Sequence, residues 1–275
     1  MASQVCLYYG IITTDILHLV LEWLELFDIA RLDIAISDKY MRNIYLKYLN
    51  YRGIIFTGNF TRSFNNNFLA WLNIRNIKIK NLKLHQDCFI NPNAKFYKTL
   101  ENLVINDINL TDEQLIAILK CCPNLNSINL QDCENLTEIS LFLLSILCPK
   151  LTKINLNNCW LISDKVINSF AKNYTNLLEL DIGDCIFITD ESLIKLLYNC
   201  KNLKSINLTN NNYIDDNFIL KLMKFDYKLK YINITGCNIS DLVIFKLLND
   251  SPKFNSISIT NSSTDYLYEF SRIEI

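Results

Sequence analysis

The chain has 275 residues, 50% of them hydrophobic, with Lys+Arg 27 against Asp+Glu 28 and a net charge of −1. It can therefore bury a sizeable core, and it exerts no global electrostatic pull on nucleic acid or an anionic membrane. The opening MASQVCLYYGII lacks a basic start followed by an apolar stretch, so no secretory signal is expected, and no apolar run reaches the length of a membrane span.

The first organised stretch is helical. Thr13 or Thr14 can cap a helix with Asp15 in its first turn, and Ile16, Leu17, Val20, Leu21 and Leu24 come after it at helical spacing. Asp28 can cap a second short helix carrying Ile29 and Leu32. A third segment, from about Asp38 to Leu49, places Met41, Ile44, Tyr45 and Tyr48 on one side. Such a unit is too small to be comfortable alone, so residues 1–50 are expected to pack on the first repeat of the chain or on another protein. Residues 51–72 form a junction. Ile54, Ile55 and Phe56 suggest a short strand there, and Phe68 to Leu72 a short helix.

From residue 73 to 261 the chain repeats. Cys148–Asn173 and Tyr174–Asn199 can be laid one over the other: alternating apolar residues, then Asn or Gly, Asn or Asp, Cys, and a Ser/Thr-Asp pair that opens a helical run. The third apolar residue of each strand gives the anchors Ile79, Ile105, Leu130, Leu156, Ile182, Leu208, Ile234 and Ile259, spaced by 25 or 26 residues. A strand and a helix at such a period define a solenoid. Its expected architecture is α/β, with parallel strands on a concave face and helices on the convex face. Residues 262–275 hold no full repeat and are expected to form a C-terminal cap, with Tyr266, Leu267 and Phe270 folded over the last repeat, or a tail.

The cysteines keep to the repeat. Cys133, Cys159, Cys185 and Cys237 share one position, and Cys122, Cys148 and Cys200 another. Equivalent positions in a solenoid stack at about 4.8 Å, close enough to crosslink in an oxidising compartment. Buried free thiols in a reducing cytoplasm or nucleus are the expectation. Zinc is not, since the spacing offers no tetrahedral convergence. Thr111, Thr137, Ser163, Thr189, Asp215 and Ser240 open helices, each with Asp or Glu next in sequence, and Thr111 with Gln114 has capping-box spacing. These residues read as scaffold. His18 and His85, in different units, complete no nucleophile–His–acid set. No catalytic residue, metal or cofactor is expected.

Binding residues are those that the repeat does not require. The outward strand positions form a polar concave surface, whose central column runs Lys78, Val104, Asn129, Asn155, Asp181, Asn207, Asn233 and Ser258. Lys153, Asn155, Glu179, Asp181, Asn207, Tyr231 and Asn233 are the candidate partner contacts there. Glu179, Asp181 and Asp184 form an acidic spot suited to a basic segment. Arg75, Lys78, Lys80 and Lys83 form an early basic patch that fades at once, which does not suit nucleic acid. Trp160, Leu161, Ile186, Phe187 and Tyr213 occupy one loop position in successive repeats. They form either an apolar strip for a partner or packing between repeats.

Two parts of the chain resemble known families. The repeats resemble the cysteine-containing class of leucine-rich repeats over nearly all of 73–261. The helical block resembles an F-box, the motif by which substrate adaptors dock on the Skp-type subunit of cullin–RING ubiquitin ligases. The family's opening Leu-Pro-x-Glu-Ile-Leu corresponds to Ile12 through Leu17, with Thr13 in place of the proline. Its next apolar positions correspond to Val20, Leu21 and Leu24, and its Asp-Leu-x-Arg step to Asp28 through Arg31, with Leu32 next. The resemblance implies that Ile12, Ile16, Leu17, Val20, Leu21, Leu24, Ile29 and Leu32 dock a Skp-type adaptor while the solenoid holds a protein substrate. The alternative is an interaction scaffold whose helical block only covers the first repeat.

Overall fold

The computed structural model describes residues 55–56, 70, 72–74, 78–85, 95–106, 109–224, 228–250, 256–261 and 264–271. The helical block and its eight docking candidates lie outside the described residues.

The first strand, β1 (Ile55–Phe56), lies in the junction and pairs in parallel with β2 (Lys78–Ile79). The main sheet then begins at β3 (Asn81–His85). It continues through β4 (Asn102–Asn106), β5 (Ser127–Asn129), β6 (Lys153–Asn155), β7 (Glu179–Asp181), β8 (Ser205–Asn207), β9 (Tyr231–Asn233) and β10 (Ser256–Asn261). These strands lie in sequence order and pair in parallel. A 3₁₀ turn, Lys95–Thr99, leads into β4. From there each crossover is a helix: α1 (Asp112–Leu119), α2 (Glu138–Leu147), α3 (Asp164–Asn173), α4 (Asp190–Asn199), α5 (Asp216–Leu222) and α6 (Asp241–Asp250). Consecutive helices pack on one another behind the sheet.

Two boundaries differ from the sequence reading. Ile79 is not the first anchor of the main sheet, because Leu82 and Leu84 pair with Leu103 and Ile105, and Lys83 pairs with Val104. The stretch 77–84 alternates in two frames, and the pairing selects the second. Lys80 O then receives the N–H groups of Glu101 and Asn102, as Glu101 O receives those of Asn126 and Ser127 one turn later. The central column therefore starts at Lys83, not Lys78. At the other end, 264–271 adds a strand that the sequence reading does not place, β11 (Thr264–Ser271), antiparallel to β10 with Ile259 opposite Tyr268. The alternation of Tyr266, Tyr268 and Phe270 was the strand signal.

Each three-residue strand from β5 to β9 places one apolar side chain in the core, where β3 and β4 place two (Leu82 and Leu84, Leu103 and Ile105). Ile128, Ile154, Leu180, Ile206 and Ile232 are all at most 2% exposed, and burying each one stabilises by about 1.5–3 kcal/mol. Just past each strand the chain turns through a left-handed residue: Asp132, Asn158, Asp184, Asn210 and Gly236, with φ between 57° and 71°. Only Gly, Asn and Asp adopt that conformation at low cost, which is why the repeat consensus has one of them there.

The turn aims the cysteine inward. Cys133, Cys159, Cys185 and Cys237 donate Sγ–H to the backbone carbonyls of Ile105, Leu130, Leu156 and Leu208 in the preceding repeat, at 3.3, 3.2, 3.3 and 3.0 Å. All four are buried and free. Burial pushes the Cys237 thiol up to about 12 and those of Cys159 and Cys185 up as well, so they behave as small hydrophobes rather than reactive groups. In the second column, Cys148 and Cys200 donate to Cys122 O and Tyr174 O at 3.4 and 3.1 Å, and Tyr174 takes the place of a cysteine, its hydroxyl donating to Leu144 O at 2.9 Å.

Asn211 stands in the first column and makes the same bond, Nδ2 to Ile182 O at 2.8 Å. Its Oδ1 is buried with no partner among the described residues. An unsatisfied buried carbonyl costs about 1–3 kcal/mol, whereas a thiol there leaves nothing unsatisfied. We expect Asn211→Cys to stabilise the chain by about 1 kcal/mol, read as a rise in the urea midpoint; a fall would show that Asn211 is well satisfied.

Candidate functional site

The candidate contacts lie on two surfaces, the concave strand positions and the loops that rise from strand to helix. On the concave side the central column is largely committed to its own backbone. Oδ1 of Asn129, Asn155, Asp181, Asn207 and Asn233 accepts the N–H of the residue two places on, at 2.9, 2.9, 3.1, 3.1 and 3.0 Å. These bonds set the turn into the loop. Asp181 Oδ1 also accepts from Asn207 Nδ2 at 2.9 Å. Gly183 lies beside this column, where a Cβ would collide with Asn157 Nδ2; its missing side chain leaves room for the asparagine.

Lys153 and Glu179, both candidate contacts, face each other across neighbouring strands with Nζ and Oε1 2.6 Å apart. Both are about half exposed, so the pair contributes little stability, on the order of 0–1 kcal/mol, but each charge partly cancels the other. Lys80 of the early basic patch is likewise paired, with Glu101 at 2.7 Å. Tyr231 is the large concave side chain left open, 45% exposed.

On the rising loops, Trp160, Leu161, Ile186, Phe187 and Tyr213 are 48, 49, 42, 51 and 63% exposed. Each of these side chains therefore presents about half of its surface to solvent. A backbone bridge from Ser163 to Phe187 joins the first two rungs of the strip, and one from Asp215 to Asn238 joins the loop of its last rung to the next repeat. Trp160 Nε1 donates to Asn158 Oδ1, and Asn158 Nδ2 donates to Asp132 Oδ1 at 3.1 Å. One repeat pair further on, Asn210 Nδ2 donates to Asp184 Oδ1 at 2.8 Å. The indole is thus tied to the column of left-handed turns that borders the strip.

The helix starts hold a network that sequence reasoning did not foresee. The acidic residue opening one helix accepts from the cap of the next. Asp164 takes Thr189 N–H, Thr189 Oγ1 and Ser192 Oγ at 2.8, 2.7 and 2.6 Å. Asp112 takes the same three groups from Thr137 and Ser140, and Asp216 takes N–H and Oγ of Ser240, both at 2.7 Å. The signal was present in the sequence as a Ser three residues after the cap in 137–140 and 189–192, and each of these serines is buried. Within its own helix, Thr111 forms the expected capping box with Gln114.

Among the described residues no group of three or more His, Cys, Asp or Glu side chains is placed to hold a metal ion, and no helix is long and apolar enough to cross a membrane. The chain matches no protein-family profile and no curated protein. Solved structures do resemble it. Rad7, in its complex with Elc1 from yeast, superposes with a TM-score of 0.53 at 19% identity over 73% of this chain and 69% of that one. Internalin C2 of Listeria monocytogenes superposes with a TM-score of 0.52 at 18% identity over 79% and 83%. These likenesses agree with the geometry. The fold is an α/β leucine-rich repeat solenoid, an open sheet of parallel strands alternating with helices.

Proposed function

We propose that the chain is a substrate-recognition adaptor of an SCF-type ubiquitin ligase, in which the helical block docks a Skp-type subunit and the solenoid holds the target protein. The observation that carries this reading is the joining of two features in one chain: residues 12–32, which resemble an F-box, and a solenoid whose outer surface offers polar and apolar groups to a partner. The fold shared with Rad7, solved as a complex with Elc1, supports a role beside a protein partner.

The test is co-expression of the full chain with a Skp-type subunit. The unmutated chain is expected to co-purify with it. Leu17→Asp and Leu24→Asp place a charge in the docking face and are expected to weaken the association by about tenfold or more, with the thermal melt of the solenoid unchanged. Failure of the unmutated chain to bind overturns the adaptor reading and leaves an interaction scaffold whose block only covers the first repeat.

A further inference from the structure

The solenoid's small net charge hides a division by edge. The loops that lead into the strands carry exposed lysines, Lys98, Lys150, Lys201, Lys204, Lys228 and Lys230. Some of them bond along the stack, Lys150 Nζ to Asn124 Oδ1 at 2.7 Å and Lys228 Nζ to Asn202 Oδ1 at 3.0 Å. The loops that leave the strands carry Asp132, Glu134 and Asp184 instead, with Asp181 at the strand end beside them. Among the described residues, no lysine or arginine forms an ion pair with any of these four carboxylates. The apolar strip lies on this acidic edge, between Asp132 and Glu134 on one rung and Asn210 on another.

We propose that this edge is a docking site for a basic protein segment with apolar anchors: Trp160, Leu161, Ile186, Phe187 and Tyr213 take the anchors, while Asp132, Glu134 and Asp184 face its lysine and arginine side chains. This deepens the reading of the solenoid as a protein-binding surface and rests on it. Three physical points support the assignment. Contiguous exposed aromatic and aliphatic groups are costly in water and are the residue types that dominate interfaces. The Trp160 indole is already held by Asn158, so less freedom is lost when a partner seats on it. The bordering carboxylates select the sign of the partner, attracting cationic chains and repelling nucleic acid and anionic lipid.

The test uses the full chain and three fluorescein-labelled peptides, with binding read by fluorescence anisotropy. One peptide alternates lysine with leucine around a tryptophan; the second has glutamate for every lysine; the third has serine for every apolar residue. The first is expected to bind, with affinity falling as salt is raised, and the other two to bind at least about tenfold more weakly. Phe187→Ser and Trp160→Ser are expected to weaken the first peptide by about tenfold or more. Asp184→Asn and Glu134→Gln should flatten its salt dependence, and Ile146→Ser, an exposed residue of α2, should change nothing. Equal binding of the acidic peptide, no binding of the basic one, or an undiminished affinity in Phe187→Ser overturns the assignment. Loss of binding in Tyr231→Ala, with Phe187→Ser unaffected, also overturns it but leaves the solenoid as a protein-binding surface on its concave face. The adaptor reading is decided separately by co-purification with the Skp-type subunit.

Discussion

Asp164→Ala is expected to lower the stability of the chain by about 3 kcal/mol. The carboxylate accepts three hydrogen bonds from the next repeat, and Ser192, one of its donors, is 1% exposed. Hydrogen bonds to an ionised acceptor are stronger than neutral ones, and removing the acceptor strands the donors of the next helix start. Asp164 also begins its own helix, where a negative charge is favoured. Glu191 is the control. It lies in the first turn of the next helix and pairs with Lys195 at the surface, at 2.7 Å. Glu191→Ala is expected to cost no more than about 0.5 kcal/mol. Urea denaturation of both variants decides the matter, and a loss below about 1 kcal/mol in Asp164→Ala would show that water replaces the bonds. The equivalent Asp112 obeys the same logic. Burial alone would raise its carboxyl, but the bonds from Ser140 and Thr137 outweigh burial and hold it below the usual value. Its contribution is therefore present above the ordinary carboxylate range and is lost as the pH falls through the lowered value.

The second large effect has the opposite sign. At the next seam, 190–215, the hydroxyl of the cap is missing, because Asp215 stands where the other repeats have Ser or Thr. Asp190 still accepts the Asp215 N–H, at 3.4 Å, but now faces a second carboxylate. Burial, then the hydrogen bond and charge of Asp215, push the Asp190 carboxyl up to about 6. A raised carboxyl is protonated more readily in the folded chain than in the unfolded one. Stability from this seam is therefore fully present below the ordinary value and is lost as the pH rises through about 6. Asp215→Ser keeps the cap acceptor that now takes the Asn217 N–H at 2.7 Å and restores a hydroxyl donor to Asp190. We expect a gain of about 1–2 kcal/mol near pH 7.5, discounted for solvent screening, shrinking towards pH 5 where Asp190 carries its own proton. Urea midpoints at the two pH values test this, and an equal gain at both would place the effect elsewhere than in the carboxylate pair.

The period, the strand anchors from Ile105 onward and the helix starts were legible in the sequence because each recurs at a fixed position. The ends were less so. At 77–84 the alternation supports two frames, and only the pairing of Leu84 with Ile105 separates them. At 264–271 the aromatic residues suggest only a cap or tail, and the pairing with β10 adds that the segment is a strand. The Cys column lies inside, as its recurrence implies, but the reason for the residues before it, a left-handed turn at Asp132, Asn158, Asp184, Asn210 and Gly236, is a backbone property that a pattern of residue types only implies. Among candidate contacts, the strip Trp160–Tyr213 stood out because the repeat does not need those side chains. What could not be read is which polar groups are already occupied: Asn155, Asp181, Asn207 and Asn233 spend an oxygen on their own turns, and Lys153 spends its charge on Glu179.

The side-chain thiol, hydroxyl and carboxamide bonds of assigned direction between repeats run one way along the stack. Cys159 donates back to Leu130, Tyr174 to Leu144, Ser192 to Asp164, and Asn210 to Asp184. The donor belongs to the later repeat and the acceptor to the earlier one; the exposed ion pair of Lys153 with Glu179 runs the other way. The backbone bonds run both ways, since Leu156 N–H donates forward to Asp181 O while Leu178 N–H donates back to Thr152 O; the one-way sense belongs to the side chains. A structure that closes the early end must therefore offer acceptors to the side chains there, and one that closes the late end must offer side-chain donors. Two such arrays placed end to end match in side-chain polarity head to tail and mismatch head to head. The seam chemistry makes the array a polar filament segment, whose two ends are not interchangeable as sites for extension.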